Sequence, residues 1–558
     1  MAYSKMDNKT KNGSIVGQFI HFTQQNRLLM LLNVVVIFLG YGFILWNSSI
    51  YIDDTAVDRY LYGSDLLVVG RFANLIINRL TGLFQYAPFW QNAVALIFLL
   101  FGTVIWCILL QSAAKGSLSK TALAVFSTVF VSYPIIHRIF IYMCGALTIC
   151  MCYLIIALAL FYTEEFFKSK KYKPLVIAST LCGIAVNMYE SFVPVYICGM
   201  FCILILNYLN SESKLGFKPI VKKSAVMLLP VSVGIILHLV IGKAIVAIFA
   251  IEGYGVADRS IIWGTKSFFN VAISFFKEVI TKFFLAGTVY FSIFIFALAI
   301  AVMICITAVL CAKRRSFVLF LLFSGLILSN FSLSILMGFA SSYRMCQVFS
   351  LFIAFTFMLL VTLLKKKKGV YAIALCVITL IVLNQTRDLN QWFYLNHMRY
   401  EYDKTIAVNV GVDIQKVDYS DKPVVFVGKK ESTNWMRTYE PTRMPFFDIY
   451  RSTAGKLLPY RVNKKVENFK MSYLDRIEPV ETFQSWGVDA FREVNTEWLK
   501  FMEIHGFTFD QGSCDDYYQA LELAENMPVW PKEGSILVTE RMVVVKMAND
   551  LKRCEMFD

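Results

Sequence analysis

The sequence predicts a polytopic α-helical membrane protein of about eleven transmembrane helices with a small C-terminal α/β domain. Three observations lead there. Apolar runs of about 20 residues, enough to cross a hydrocarbon core, recur from Arg27 to residue 384. The loops between them alternate between strongly basic and weakly charged. After residue 384 the composition turns soluble, with 23 basic and 27 acidic side chains there against 31 and 12 before it. A chain that is 57% hydrophobic is too apolar for a soluble protein of this size. Its net charge of +15 sits mostly in short loops, so it reports topology and implies no nucleic-acid partner.

Residues 1–27 are expected to form a cytoplasmic N-terminus, with Lys5, Lys9 and Lys11. The first apolar run, LLMLLNVVVIFLGYGFILW, is too long for a signal-peptide core and lacks a small-residue cleavage site, so it reads as a retained anchor. Residues 28–384 form the transmembrane part, with spans expected near residues 28, 88, 119, 141, 174, 192, 224, 284, 316, 343 and 369. The basic loops hold Lys115 and Lys120, then Lys168 to Lys173, then Lys214 to Lys223, then Lys313 to Arg315, then Lys365 to Lys368. By the positive-inside rule they face the cytoplasm. The remaining connections, at 49–87, 137–140, 188–192, 250–282 and 338–344, then face out. An odd number of spans puts everything after residue 384 outside as well.

Residues 385–420 include RDLNQWFYLNHMRYEYDKT, which suits an amphipathic interfacial helix with Trp392, Phe393 and Tyr394 at the boundary. An ordinary linking helix is the alternative. Residues 421–558 form the extracytoplasmic α/β domain: KPVVFVG reads as a buried strand and GSILVTERMVVVKM as a hairpin turning near Glu540 and Arg541. Helical stretches are expected around 485–504 and 515–526. Its Cys514 and Cys554 are candidates for a disulfide if the compartment is oxidising. The other cysteines lie in or beside apolar spans, where packing outweighs metal binding.

Polar residues near membrane depth are costly and usually functional, and here they collect on the outer side. Four of the twelve acidic residues before the tail, Asp53, Asp54, Asp58 and Asp65, fall in the first outer loop with Arg59 and Arg71. His137, Arg138, Tyr189, Glu190, Lys243 and Arg344 join them from other outer turns and span ends. A single Arg at a span end is as a rule snorkelling, and Glu190 equally suits a turn. Adjacent aspartates are different, because they repel each other and neither is needed to end a span. In a helical loop Asp54 and Asp58 share one face.

A carboxylate beside a cationic lining suits group transfer from a phosphate ester: Asp53 or Asp54 takes a proton, and Arg, Lys and His residues meet the phosphate. Outside the cytoplasm no nucleotide sugar is available, so the donor is expected to be a polyprenyl-phosphate sugar held in the bilayer. Such a displacement requires no cofactor. A divalent metal at the Asp pair stays open but has no support.

The ordered set Asp53, Asp54, Arg59, Gly63, Gly70, Arg71, then NMYES, then SSYR, then RDLNQWFYLNHMRYEYD resembles the bacterial type II glucosyltransferase family. These are GT-C type membrane enzymes that decorate O-antigen and related surface polysaccharides. The resemblance implies a GT-C-like fold, an undecaprenyl-phosphate glucose donor, a polysaccharide acceptor, and a separate donor synthase and flippase in a bacterial inner or cell membrane. GRF and YE depart from the expected pattern, which bears on the sugar and not on the fold. A surface-polysaccharide polymerase and a lipid-linked oligosaccharide flippase are the rival readings. No phosphate loop, dinucleotide fingerprint or nucleophile elbow is present.

Overall fold

The computed structural model describes residues 15–50, 54, 70–81, 87–140, 143–211, 216–249, 261–265, 267–288, 291–428, 430, 454–465 and 495–549. In chain order the membrane part contains α1 (Ile15–Gln25), α2 (Arg27–Trp46), α3 (Phe72–Thr81), α4 (Pro88–Ala113), α5 (Lys120–Ser132), α6 (Met143–Ser169) and α7 (Tyr172–Met188). It continues with α8 (Phe192–Leu209), α9 (Phe217–Phe249), α10 (Phe268–Phe283), α11 (Phe291–Arg314), α12 (Phe317–Ser329), α13 (Val348–Leu364) and α14 (Lys368–Gln415). Among the described residues seven helices are long and apolar enough to cross a membrane. Shorter apolar helices start at Lys120, Tyr172, Phe317 and Val348, where the remaining spans are expected.

Local chemistry sets several helix ends. Ser119 and Ser316 accept from the backbone N–H groups of Ala122 and Leu319 and so cap α5 and α12, meeting donors that have no intrahelical partner. Pro88 starts α4 at a position where its missing N–H costs nothing. Pro230 lies inside α9.

Polar side chains tie the helices together. Asn33 on α2 donates to Ser127 Oγ on α5 at 2.9 Å, and Ser132 on α5 donates to Gln385 Oε1 on α14 at 2.8 Å. The Tyr153 hydroxyl on α6 donates to the Gln347 carbonyl before α13 at 2.8 Å. Bonds of this kind contribute about 0.6 kcal/mol each in a membrane protein; close packing supplies the rest. A Cβ on Gly199 would come within 2.6 Å of the Trp106 ring and of Leu160, so a side chain there would separate α8 from α4 and α6.

The basic connections gather at one end of the bundle. Lys120 donates to the Gln25 carbonyl at 2.9 Å, Lys168 to Ser112 Oγ at 3.3 Å and Arg314 to the Leu209 carbonyl at 2.8 Å, while Lys223 pairs with Glu164 at 2.8 Å. The other end carries the turns expected to face out.

Two connections are more ordered than their charge pattern alone conveys. The 250–282 connection contains the amphipathic α10, which buries Val271, Phe275 and Val279 and exposes Phe269, Ile273, Phe276 and Ile280. Residues 385–415 are helical, as both readings of the 385–420 segment expect. The last span continues without a break to Gln415 as one 48-residue helix, about 72 Å long at 1.5 Å per residue. Its continuous exposed apolar stripe, Val370, Ile373, Val377, Leu380 and Leu383, runs to Leu383.

That helix delivers the chain to the α/β domain. Strands β1 (Val424–Val427), β2 (Ile536–Val538) and β3 (Val543–Lys546) form a sheet of order β1-β3-β2, with β1 parallel and β2 antiparallel to β3. The expected hairpin is the β2–β3 pair. Helices α15 (Thr496–Ile504) and α16 (Cys514–Ala524) cover it. Alternation sends Val424, Phe426, Val543 and Val545 against Trp498, Phe501 and the far end of α14, at Ile406, Val410 and Ile414. It sends Val425, Val427 and Val544 to the other face, against Tyr517, Ala520 and Ala524. Cys514 is a free, exposed thiol, and Cys554 lies outside the described residues.

Candidate functional site

Opposite the basic end, the break between α7 and α8 presents the Asn187 to Ser191 turn. The Tyr189 N–H closes α7 on the Ala185 carbonyl and the Phe192 N–H bonds the Tyr189 carbonyl, so the tyrosine ring is fixed by backbone on both sides. Helix α3 docks next to it: buried Asn74 accepts from Thr148 on α6 at 2.7 Å. Arg71, just before α3, is thereby held with its guanidinium carbon 4.5 Å from the Tyr189 ring centroid and its Nη2 3.5 Å from Glu190 Oε2. One cation thus lies between a π face and a carboxylate, both favourable to it.

A second contact locks the same segment. Gly70 has φ +76°, and a Cβ there would stand 3.0 Å from His238 Cε1. His238, on α9, shares a 2.8 Å hydrogen bond between its Nδ1 and Asn187 Oδ1, while the Asn187 amide donates to the Gly183 carbonyl at 2.7 Å. Four elements therefore meet within one network.

Arg344 lies in the turn Tyr343–Met345 and is exposed. Burial raises the Tyr189 phenol above its ordinary value, and the nearby charges of Arg71 and Arg344 draw it back. Lys282 stands 5.2 Å from the centroid of the Tyr343 ring, whose hydroxyl donates to the Lys282 carbonyl at 2.8 Å.

Asp54 is buried, 5% exposed, in a helical residue beyond α2. Asp53, Asp58 and Arg59 lie outside the described residues. So do the side chains of His137 and Arg138, whose backbone opens the helical turn His137–Phe140. Lys243 is exposed, further along α9 than His238. The structure thus brings together Arg71, Tyr189, Glu190 and Arg344. His238, Asn74 and Lys282 belong to this region and escape the loop-charge reading. The available signal for His238 was its place in an apolar run, where a titratable side chain marks function by default. Among the described residues no group of three or more His, Cys, Asp or Glu side chains gathers to hold a metal ion.

Apolar helices around a cationic, aromatic and carboxylate-bearing end define a polytopic helical membrane protein with a polar site at one membrane boundary. A family model described as glucosyl transferase GtrII matches residues 42–361, a stretch from the end of α2 through the site to α13. The chain belongs to that family and is a glycosyltransferase. No curated protein and no solved structure matches it.

Proposed function

We propose that the protein transfers a sugar, glucose by its family, from a polyprenyl-phosphate donor to a surface polysaccharide such as O-antigen. The reaction takes place on the extracytoplasmic side of a bacterial cell membrane. The observation that carries the reading is a buried carboxylate, Asp54, in the first connection of a glucosyltransferase-family chain whose Arg71 lies over the Tyr189 ring beside Glu190.

The acceptor hydroxyl oxygen attacks the anomeric carbon as its proton passes to Asp54, or to Asp53 beside it. The glycosidic C–O bond forms while the bond from the anomeric carbon to the phosphate oxygen breaks, and the bonding pair leaves on the phosphate. Arg71 and Arg344 take up that charge, with bidentate geometry available to a phosphate. The lipid chain lies between spans, and a separate synthase and flippase supply the donor.

The test compares wild type, Asp53→Asn and Asp54→Asn at matched membrane levels for sugar added to surface polysaccharide. Removing the general base is expected to lower transfer by about 10²–10⁴-fold in one variant, with the polyprenyl-phosphate sugar accumulating. Unchanged transfer in both removes the pair from the chemistry.

A further inference from the structure

Helix α10 stands in the connection between two spans, at the end opposite the basic clusters. Helix α9 leaves the basic end near Lys223, and α11 returns to it at Lys313 and Arg314. The connection therefore begins and ends on one side of the membrane. With 16 residues, α10 is about 24 Å long, short of a hydrocarbon core of roughly 30 Å. It does not cross.

Its side chains sort into three lengthwise stripes at about 100° per residue. Val271, Phe275, Val279 and Phe283 fall along one side and are buried. Phe269, Ile273, Phe276 and Ile280 fall along a second side, where each stays between 51% and 77% exposed. Asn270, Ser274, Lys277 and Thr281 fall along the third, all but Thr281 exposed. The exposed apolar and polar stripes both run from end to end, so the line dividing them is parallel to the helix axis. A spanning helix is apolar all round its lipid side. A helix lying in the plane of the boundary has this arrangement instead, with hydrocarbon along one flank and water along the other.

The same helix is fastened to the turn that carries Arg344. Glu278, between the polar and buried stripes, accepts from the Ala340 N–H at 3.0 Å. One turn on, the Lys282 carbonyl accepts from the Tyr343 hydroxyl at 2.8 Å, and the Phe283 ring meets the Tyr343 ring with centroids 6.2 Å apart. Ahead of the helix, the Ile262 N–H bonds the Met337 carbonyl at 2.9 Å. The Trp263 indole N–H bonds the Ile335 carbonyl at 2.7 Å while its ring stacks on Phe268 at 5.5 Å, an apolar body with a polar tip that suits the membrane boundary. None of these contacts uses the exposed apolar stripe. We infer that α10 is seated on the bilayer through Phe269, Ile273, Phe276 and Ile280, with lipid as its partner, and that Glu278 positions the Arg344 turn at headgroup depth. The seating stands on the membrane architecture alone. What Arg344 then meets, a lipid-borne phosphate, rests on the glycosyl-transfer reading above.

The experiment uses the full chain in vesicles of phosphatidylethanolamine and phosphatidylglycerol. The photoreactive p-benzoyl-phenylalanine is placed at the position of Phe276 or, on the polar stripe, of Asn270, and adducts are identified by mass spectrometry after irradiation. Lipid adducts are expected at Phe276 and not at Asn270. Adducts at Phe276 to this chain, or to a second copy of it, mean that protein covers the stripe and overturn the seating. Equal lipid adducts at both positions mean a helix surrounded by lipid and overturn it too. The tether is read in transfer assays with polyprenyl-phosphate glucose. Glu278→Ala is expected to raise donor KM about three- to tenfold, the effect of one lost hydrogen bond, with kcat unchanged. Glu278→Gln keeps an acceptor for the Ala340 N–H and is expected to restore the wild-type donor KM. A Glu278→Ala variant with unchanged donor KM, or with only a lower kcat, overturns the positioning role. A wild type that transfers nothing overturns the glycosyl-transfer reading; the cross-linking, which needs no turnover, still decides the seating.

Discussion

The Arg71 guanidinium carbon lies 4.5 Å from the centroid of the Tyr189 ring. A flat guanidinium stacks on that face and still presents N–H groups at its edge, while a lysine ammonium in the same place is a single hydrated point charge. Arg71→Lys keeps the charge and loses both the stacking and the fork. A cation–π contact is worth about 0.5–2 kcal/mol, so donor KM is expected to rise about 2- to 30-fold. Donor titration in membrane vesicles checks this. An unchanged donor KM takes Arg71 out of phosphate binding and leaves it a structural clamp on the turn.

The clamp has its own test at Gly70, where φ is +76° and a Cβ would press on His238 Cε1 at 3.0 Å. Gly70→Ala carries about 1–2 kcal/mol of left-handed backbone strain and must also move the imidazole off Asn187. His238→Ala removes the obstacle but not the strain. Thermal unfolding of both single variants and the double variant is expected to show a double less destabilised than the sum of the singles. Strict additivity would mean that the two residues do not press on each other.

Charge alternation made the membrane part legible, because lysines excluded from hydrocarbon mark span ends whatever the helices do between them. The short apolar helices starting at Lys120, Tyr172, Phe317 and Val348 each abut a basic cluster at one end, although none is long on its own. The site was only half legible. Arg71, Tyr189, Glu190 and Arg344 stand in loops and turns, where polar residues draw notice. His238 sits within an apolar helix and becomes significant only when three-dimensional packing brings it to Gly70. The run of α14 past Leu383 was hidden for another reason. The same amphipathic pattern suits a helix lying on lipid and one packing on a protein domain, and Ile406, Val410 and Ile414 meet the sheet.

The α/β domain carries a pH-dependent element. Ser513 caps α16 by accepting from the Asp516 N–H, and the Asp516 carboxylate accepts from the Ser513 N–H at 2.8 Å. Burial alone would raise the Asp516 carboxyl, but hydrogen bonds from Ser513 and the Arg541 guanidinium outweigh it and hold it below 3.8. A folded-state value below the unfolded one stabilises the fold above the unfolded value, and that stability is lost as pH falls through the folded value. Acid melting of the full chain, followed by tryptophan fluorescence, is expected to show this loss below about pH 4. Ser513→Ala is expected to cost about 1 kcal/mol at neutral pH and to shrink the acid-dependent part. An Asp516→Asn variant that keeps the whole acid dependence would assign it to other carboxyls.

Orientation is tested most directly at Cys514, an exposed free thiol at the start of α16. The basic ends fixed by Lys120, Lys168, Lys223 and Arg314 lie together, and by the positive-inside rule that end is expected to face the cytoplasm. Helix α14 starts at Lys368, next to Lys365, Lys366 and Lys367, and runs on to the domain, which the same rule then places on the opposite side. A variant retaining Cys514 as its single cysteine is therefore expected to react with a membrane-impermeant maleimide in intact spheroplasts, as fully as after permeabilisation. Labelling only after permeabilisation would invert the topology. The domain, Asp54 and the Arg71 network would then face the cytoplasm, where nucleotide sugars are at hand and the argument for a lipid-borne donor no longer holds.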